Sequence, residues 1–171
     1  MQAYIEKDEI LHIGMDFNIT NMSAVIHVIR DTKFIAVAEL TGIYDTMAMV
    51  RTIKDKYAGL KVVIYPDASG KNRNTSGMSD IQMLMNEGFV IRVGNQNPFV
   101  RDRVNSMNLG FLNNKGERNY LINTFNCPEY TQALEQIAYK NNEPDKQSGL
   151  DHITDAGGYF MYMVSRISFT I

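Results

Sequence analysis

The chain has 171 residues, a net charge of −2, and 44% hydrophobic against 21% charged side chains. That is enough for one α/β domain with a buried core. No apolar run approaches the roughly 20 residues that span a bilayer. The polar stretch Glu6-Lys7-Asp8-Glu9 does not read as the apolar segment of a signal peptide, so an intracellular protein with no membrane partner is expected. The single cysteine, Cys127, excludes an internal disulfide and a multi-cysteine zinc centre, and reads as a structural thiol. A pI near 5.9 is unlike the basic excess of a dedicated nucleic-acid binder. A carboxylate cluster built for cations would lower the net charge by itself, so the two observations pull in opposite directions.

Ile10 to Phe17 is predicted to be a buried strand, followed by strands over Ser23 to Arg30 and Phe34 to Leu40. Their short polar connections imply an antiparallel meander. Asp45 to Tyr57 has helical spacing, with Gly59 behind it as a stop signal. Lys61 to Tyr65 carries Val62-Val63-Ile64, a continuous apolar run suited to a central strand covered on both faces. The second half alternates. A helix is expected over Ser79 to Asn86, a strand over Phe89 to Val93, a helix over Pro98 to Leu109 and a short strand over Tyr120 to Asn123. Pro128 to Lys140 reads as a helix, Asn141 to Gly149 as a polar loop, and Leu150 to Ile167 as a last helix whose methionines suit core packing. The order predicts a mixed sheet of five or six strands between helices. A right-handed crossover through the first helix sets the fourth strand beside the first.

Two aspartates end apolar strands, Asp16 after His12-Ile13-Gly14-Met15 and Asp67 after Val63-Ile64-Tyr65-Pro66. On neighbouring strands both carboxylates emerge at one sheet edge, where α/β proteins carry their sites. Carboxylates that close repel and call for a cation or a shared proton, and oxygen ligands suit Mg²⁺ or Mn²⁺. The competing reading is a pair of loop or helix-cap aspartates. Asp151, His152 and Asp155 share one face at the start of the last helix. The helix dipole accounts for an acid at Asp151. It accounts poorly for Asp155, which lies beyond the first turn beside Ala156, Gly157 and Gly158, small residues that allow a close approach to the sheet.

With Gly-Met-Asp-Phe-Asn at 14 to 18, Tyr-Pro-Asp-Ala-Ser at 65 to 69 and Asp-His-Ile-Thr-Asp-Ala at 151 to 156, the chain resembles the nuclease domain of tailed-phage large terminases, over roughly Ile10 to Ile167. The resemblance implies a ribonuclease H-like fold and cleavage of double-stranded, concatemeric viral DNA during genome packaging, in the cytoplasm of an infected bacterium. It gives Asp16, Asp67 and Asp155 metal-binding and catalytic roles, with His152 beside them. It also implies a small terminase subunit and a portal as partners. The Gly-x-x-x-x-Gly-Lys-Ser/Thr phosphate loop of a packaging ATPase is missing, because Ser69-Gly70-Lys71-Asn72 has no upstream glycine and no hydroxyl after the lysine. Residues 1–171 are therefore expected to form a single nuclease domain, with the N-terminal ATPase domain absent.

Two cations would activate a water and stabilise the leaving oxygen. Asp16 is the natural bridging ligand, Asp67 and Asp155 complete the two sites, and Asp151 is a further candidate ligand. His152 is either a water-orienting or proton-donating group or a structural histidine; His12 and His27 read as structural. DNA contacts are expected from Lys71, Arg73 and Asn74 in the loop after Asp67, and from Lys115 and Arg118 in a turn that could close over the substrate. Arg101 and Arg103 are either phosphate contacts or solvated charges on a helix. The alternatives are another ribonuclease H-like nuclease such as a junction resolvase, a phospho-receiver domain with Asp67 as acceptor, whose alternating β-α order conflicts with the meander, and a degenerate DNA-binding scaffold.

Overall fold

Strand β1 (Ile10–Asp16) is the axis of the molecule. Its apolar residues alternate faces: Leu11, Ile13 and Met15 enter one core, while His12 and Gly14 face the other side of the sheet. It pairs antiparallel with β2 (Met22–Arg30), which pairs antiparallel with β3 (Lys33–Ile43). Asp31 closes the β2–β3 turn at φ +54°, a left-handed conformation that aspartate tolerates. Helix α1 (Thr46–Lys56) starts on Asp45, whose side chain accepts from the Ala48 amide. It returns the chain to β4 (Lys61–Pro66), parallel to β1 on its free edge, as the crossover rule requires. After a 3-10 turn (Ala68–Lys71) come α2 (Asp80–Asn86), β5 (Val90–Ile91), α3 (Val100–Phe111), β6 (Tyr120–Ile122), α4 (Pro128–Gln136), the two-residue strands β7 (Tyr139–Lys140) and β8 (Glu143–Pro144), and α5 (Asp151–Ser168). This computed structural model describes residues 5–72, 77–137, 139–140, 143–144 and 149–168.

The six-stranded order is β5-β4-β1-β2-β3-β6. One face packs Leu11, Ile13, Met15 and Ile26 against α1 and α2 through Met49, Ile53 and Leu84. The other packs Val25, Ala36 and Tyr65 against α3, α4 and α5 through Met107, Tyr130, Ala133, Ala156 and Phe160. The second core holds a buried polar chain. His27 is fully buried; its Nδ1 lies 3.0 Å from the His12 carbonyl and so donates there, which leaves Nε2 to accept from the Tyr120 hydroxyl at 2.9 Å. Tyr130 in turn donates to Tyr120 at 2.7 Å. Cys127 is buried in the same layer, and burial pushes its thiol up to about 12, far from nucleophilic use.

The structure departs from the sequence reading in two segments. Helix α4 stops at Gln136, because Ile137 turns extended; Tyr139–Lys140, expected to be helical, instead pairs antiparallel with Glu143–Pro144, which lies in the expected loop. Strand β5 spans Val90 and Ile91 only, since the chain after Arg92 leaves the edge as Gly94-Asn95-Gln96-Asn97.

Candidate active site

The β1–β4 pairing sets Met15 opposite Pro66, and the Asp67 amide donates to the Met15 carbonyl at 2.9 Å. Asp16 and Asp67 therefore leave the sheet side by side at its carboxyl edge. Helix α5 lies directly on β1. A side chain at Gly14 would meet the Ala156 carbonyl oxygen at 1.9 Å, so the strand backbone touches the helix backbone. That contact brings Asp151, His152 and Asp155 over the strand ends. A cavity of about 460 Å³ is lined by Asp16, Asp67, Asp151, His152 and Asp155, together with Asn97, Arg103 and Tyr159. Carboxylates from β1, the β4 end and α5 thus share one cavity.

Each has distinct partners. Asp16 is 6% exposed. Burial and the charges of Asp155 and Asp67 push its carboxyl up to about 7, while His152 acts in the opposite direction. The His152 Nδ1 lies 3.1 Å from Asp16 Oδ2. Asp67 caps the 3-10 turn, accepting from the Ser69 amide at 2.7 Å, and accepts from Asn97 Nδ2 at 2.6 Å. Asn97 Oδ1 accepts from the Ala68 amide at 2.7 Å, so one amide side chain fixes the strand end on both sides. Asp155 is ion-paired to Arg103 of α3. Asp151 is 5% exposed, and its Oδ1 has no hydrogen-bond partner among the described residues; the nearest cation-forming atom is His152 Nε2 at 3.9 Å.

The donor set tests whether a divalent cation fits. Three carboxylates press on one another with a fourth oxygen unpartnered, which is the chemistry of a hard-cation site. As they stand, no three His, Cys, Asp or Glu side chains among the described residues are gathered closely enough to hold an ion. Arg103 and Asn97 occupy Asp155 and Asp67 instead, so ligation would require these contacts to be shared or exchanged.

The predicted residues divide accordingly. Asp16, Asp67, Asp151, His152 and Asp155 are brought together. Lys71 sits beside the site at the end of the 3-10 turn, with Nζ donating to the Gly94 carbonyl at 2.7 Å. Arg73 and Asn74 lie outside the described residues. Lys115 and Arg118 are not brought to this edge, which corrects the expected closing turn. They precede β6, which runs parallel to β3 with Tyr120 opposite Phe34, at the end of the sheet away from Asp16. There Lys33 Nζ donates to the Arg118 carbonyl at 2.7 Å. Two residues of the site escaped the sequence reading. Asn97 carried no signal beyond its position before Pro98. Arg103, which reads as either a phosphate contact or a solvated helix charge, is 4% exposed; its stem crosses Gly158, and its guanidinium lies 4.8 Å over the Tyr159 ring.

The fold is the ribonuclease H-like fold of large-terminase nuclease domains, a mixed six-stranded sheet with helices on both faces. The large terminase of the thermophilic bacteriophage D6E matches with a TM-score of 0.65 at 18% identity, over 96% of this chain and 42% of its own. The P22 large terminase nuclease domain matches with a TM-score of 0.65 at 15% identity, over 95% of this chain and 84% of its own. The nuclease domain of the bacteriophage SPP1 large terminase, a structure with bound Mn, matches with a TM-score of 0.61 at 15% identity, over 90% of this chain and 86% of its own. This chain thus spans under half the length of the D6E protein. No protein-family model matches the sequence, and neither does any curated protein. Among the described residues, no helix is long and apolar enough to cross a membrane.

Proposed function

We propose that the chain is a metal-dependent endonuclease that hydrolyses phosphodiesters of double-stranded DNA, cutting concatemeric viral DNA during packaging. The observation that carries the reading is the convergence of Asp16, Asp67 and Asp155 on one polar cavity, with Asp16 buried and its carboxyl raised to about 7. The shared fold of the phage terminase nuclease domains supports it, as does the Mn in the SPP1 structure. Asp16, Asp67 and Asp155 would hold Mg²⁺ or Mn²⁺, two ions in the full site, with Asp151 as the additional oxygen donor. Bound there, divalent cations supply an activated water and Lewis-acid stabilisation of the phosphoryl oxygens.

The chain's own residues do the rest. The His152 Nδ1–H donates to Asp16, orienting its second oxygen toward the cavity. Asn97 orients Asp67, and the Ser69 amide holds the same carboxylate. Arg103 neutralises Asp155, which would have to share or exchange that partner to hold a cation. In the larger assembly an ATPase domain, a small terminase subunit and the portal deliver the DNA, in the cytoplasm of an infected bacterium. Incubation with supercoiled plasmid tests the reading. Nicking and linearisation are expected in Mn²⁺ or Mg²⁺ and not in chelator, and Asp16→Asn is expected to abolish them. Cutting by Asp16→Asn at the parent rate would exclude this site.

A further inference from the structure

Beside the acidic cavity lies a second one of about 290 Å³, and the two share Asn97, Pro98 and Tyr159 as lining. One wall is the segment after β5, the other is the outer half of α5. Each wall contributes an exposed arginine, Arg92 from the first and Arg166 from the second. The loop also presents the amide side chains of Asn95 and Gln96. One carboxylate lines the cavity, Asp102, and it lies 3.6 Å from Arg101, which offsets it. The wall is tied to the acidic strand end at two points, through Lys71 on the Gly94 carbonyl and through Asn97 on Asp67. On the other side Arg166 lies over the Tyr162 ring at 5.5 Å, with Nη1 donating to the Tyr162 hydroxyl at 3.4 Å.

We propose that this cleft is a backbone subsite for duplex DNA, with Arg92 and Arg166 contacting phosphates next to the one being cut. The inference rests on the nuclease reading and extends it to the path of the substrate. A cluster of carboxylates repels a polyanion, so a site that must hold a phosphodiester against it needs positive charge close by. In a chain of net charge −2, two arginines distant in sequence converge on a cavity of mixed polar and apolar lining that adjoins the acidic one. Guanidinium groups fit phosphate oxygens in pairs, and amides add uncharged donors that position without reading bases. The shared lining of Asn97, Pro98 and Tyr159 argues for a chain-like anion that spans both cavities rather than for an isolated small one.

The test is fluorescence anisotropy of the 171-residue chain with a labelled 30-base-pair duplex, in chelator, at several salt concentrations. Each phosphate contact contributes a slope of about 0.9 in log affinity against log salt. Arg92→Ala combined with Arg166→Ala is expected to weaken binding about tenfold or more and to flatten that slope by about two. The melting temperature and its Mn²⁺-induced rise are expected to stay at the parent values. Arg92→Lys with Arg166→Lys is expected to keep most of the slope. Lys115→Ala with Arg118→Ala removes the same charge at the far end of the sheet and is expected to leave the slope unchanged. Parent-like affinity and slope in the Arg92/Arg166 double alanine variant would overturn the subsite. So would an equal loss from the Lys115/Arg118 pair, or a loss confined to single strands. Binding in chelator involves no turnover, so this outcome is independent of whether the parent cuts plasmid in Mn²⁺, which is the test of the nuclease reading.

Discussion

Burial and neighbouring charge act together on Asp16. Its folded pKa, about 7, lies above the unfolded value near 4. A raised carboxyl contributes stability that is fully present below the unfolded pKa and is lost as pH rises through the folded one. Without metal, Asp16→Asn is therefore expected to be more stable than the parent at pH 8, by up to about 4 kcal/mol, with the difference shrinking toward zero at pH 4. Paired urea titrations at several pH values measure it. A constant difference across pH would mean that the carboxyl is not crowded. His27 has the opposite sign. Burial lowers its pKa to about 3, so its contribution is fully present above about 6.5 and is lost as pH falls toward 3. Tyr120 and the His12 carbonyl satisfy the neutral ring on both nitrogens. His27→Phe is expected to flatten the acid limb of the stability profile while lowering stability at pH 7 by about 1–3 kcal/mol, because the Tyr120 hydroxyl loses its acceptor. Circular dichroism through an acid titration reads both effects.

At the scale of elements, α5 sets the geometry. Alanine in place of glycine within an exposed helix normally adds up to about 1 kcal/mol. At Gly157 the added methyl would meet the Tyr130 hydroxyl at 2.0 Å, on a rigid ring whose oxygen belongs to the buried polar chain. Gly157→Ala is expected to destabilise by about 2 kcal/mol or more, against the helix-propensity sign; a thermal melt that rises would refute the packing. Gly158 faces the flexible stem of Arg103 instead, so Gly158→Ala is expected to cost less in stability while loosening the Asp155 ion pair. The legibility of the site follows the same division. The strand-end acids could be read from the sequence because an apolar run that stops at Asp16 or Asp67 shows by itself where the sheet ends. Asp155 was readable because it lies past the first helical turn among small residues. Arg103 and Asn97 were not, since their function depends on which helix crosses Gly158 and where the loop after β5 returns. Lys115 and Arg118 looked like a substrate-facing turn because local composition does not reveal the direction in which β6 enters the sheet.

Across the whole molecule, the expected cations act as a ligand of the native state. Tenfold more Mn²⁺ than its dissociation constant would add about 1.4 kcal/mol, a rise in melting temperature of about 3–6 °C for a chain of this size. Asp67→Asn is expected to shrink that rise, and an unchanged melting temperature through millimolar Mn²⁺ would argue against ligation. With a net charge of −2 the isolated chain can neutralise few phosphates, so it should hold DNA weakly, with only a shallow dependence of affinity on salt. An ATPase domain would compensate by keeping DNA at high local concentration.

The contact of Gly14 with Ala156 joins β1 to α5, and under the proposed reading this bears on when the centre can form. Asp16 and Asp67 meet as soon as β4 joins β1, but Asp155 arrives from the far end of the chain. Closing so long a loop is slow, and it comes late in synthesis. Under the proposed reading, a ribosome-bound fragment ending at Gly149 would carry Asp16 and Asp67 without Asp151 or Asp155 and could not complete the centre. On that reading, competence to cut would wait for the docking of α5 against β1.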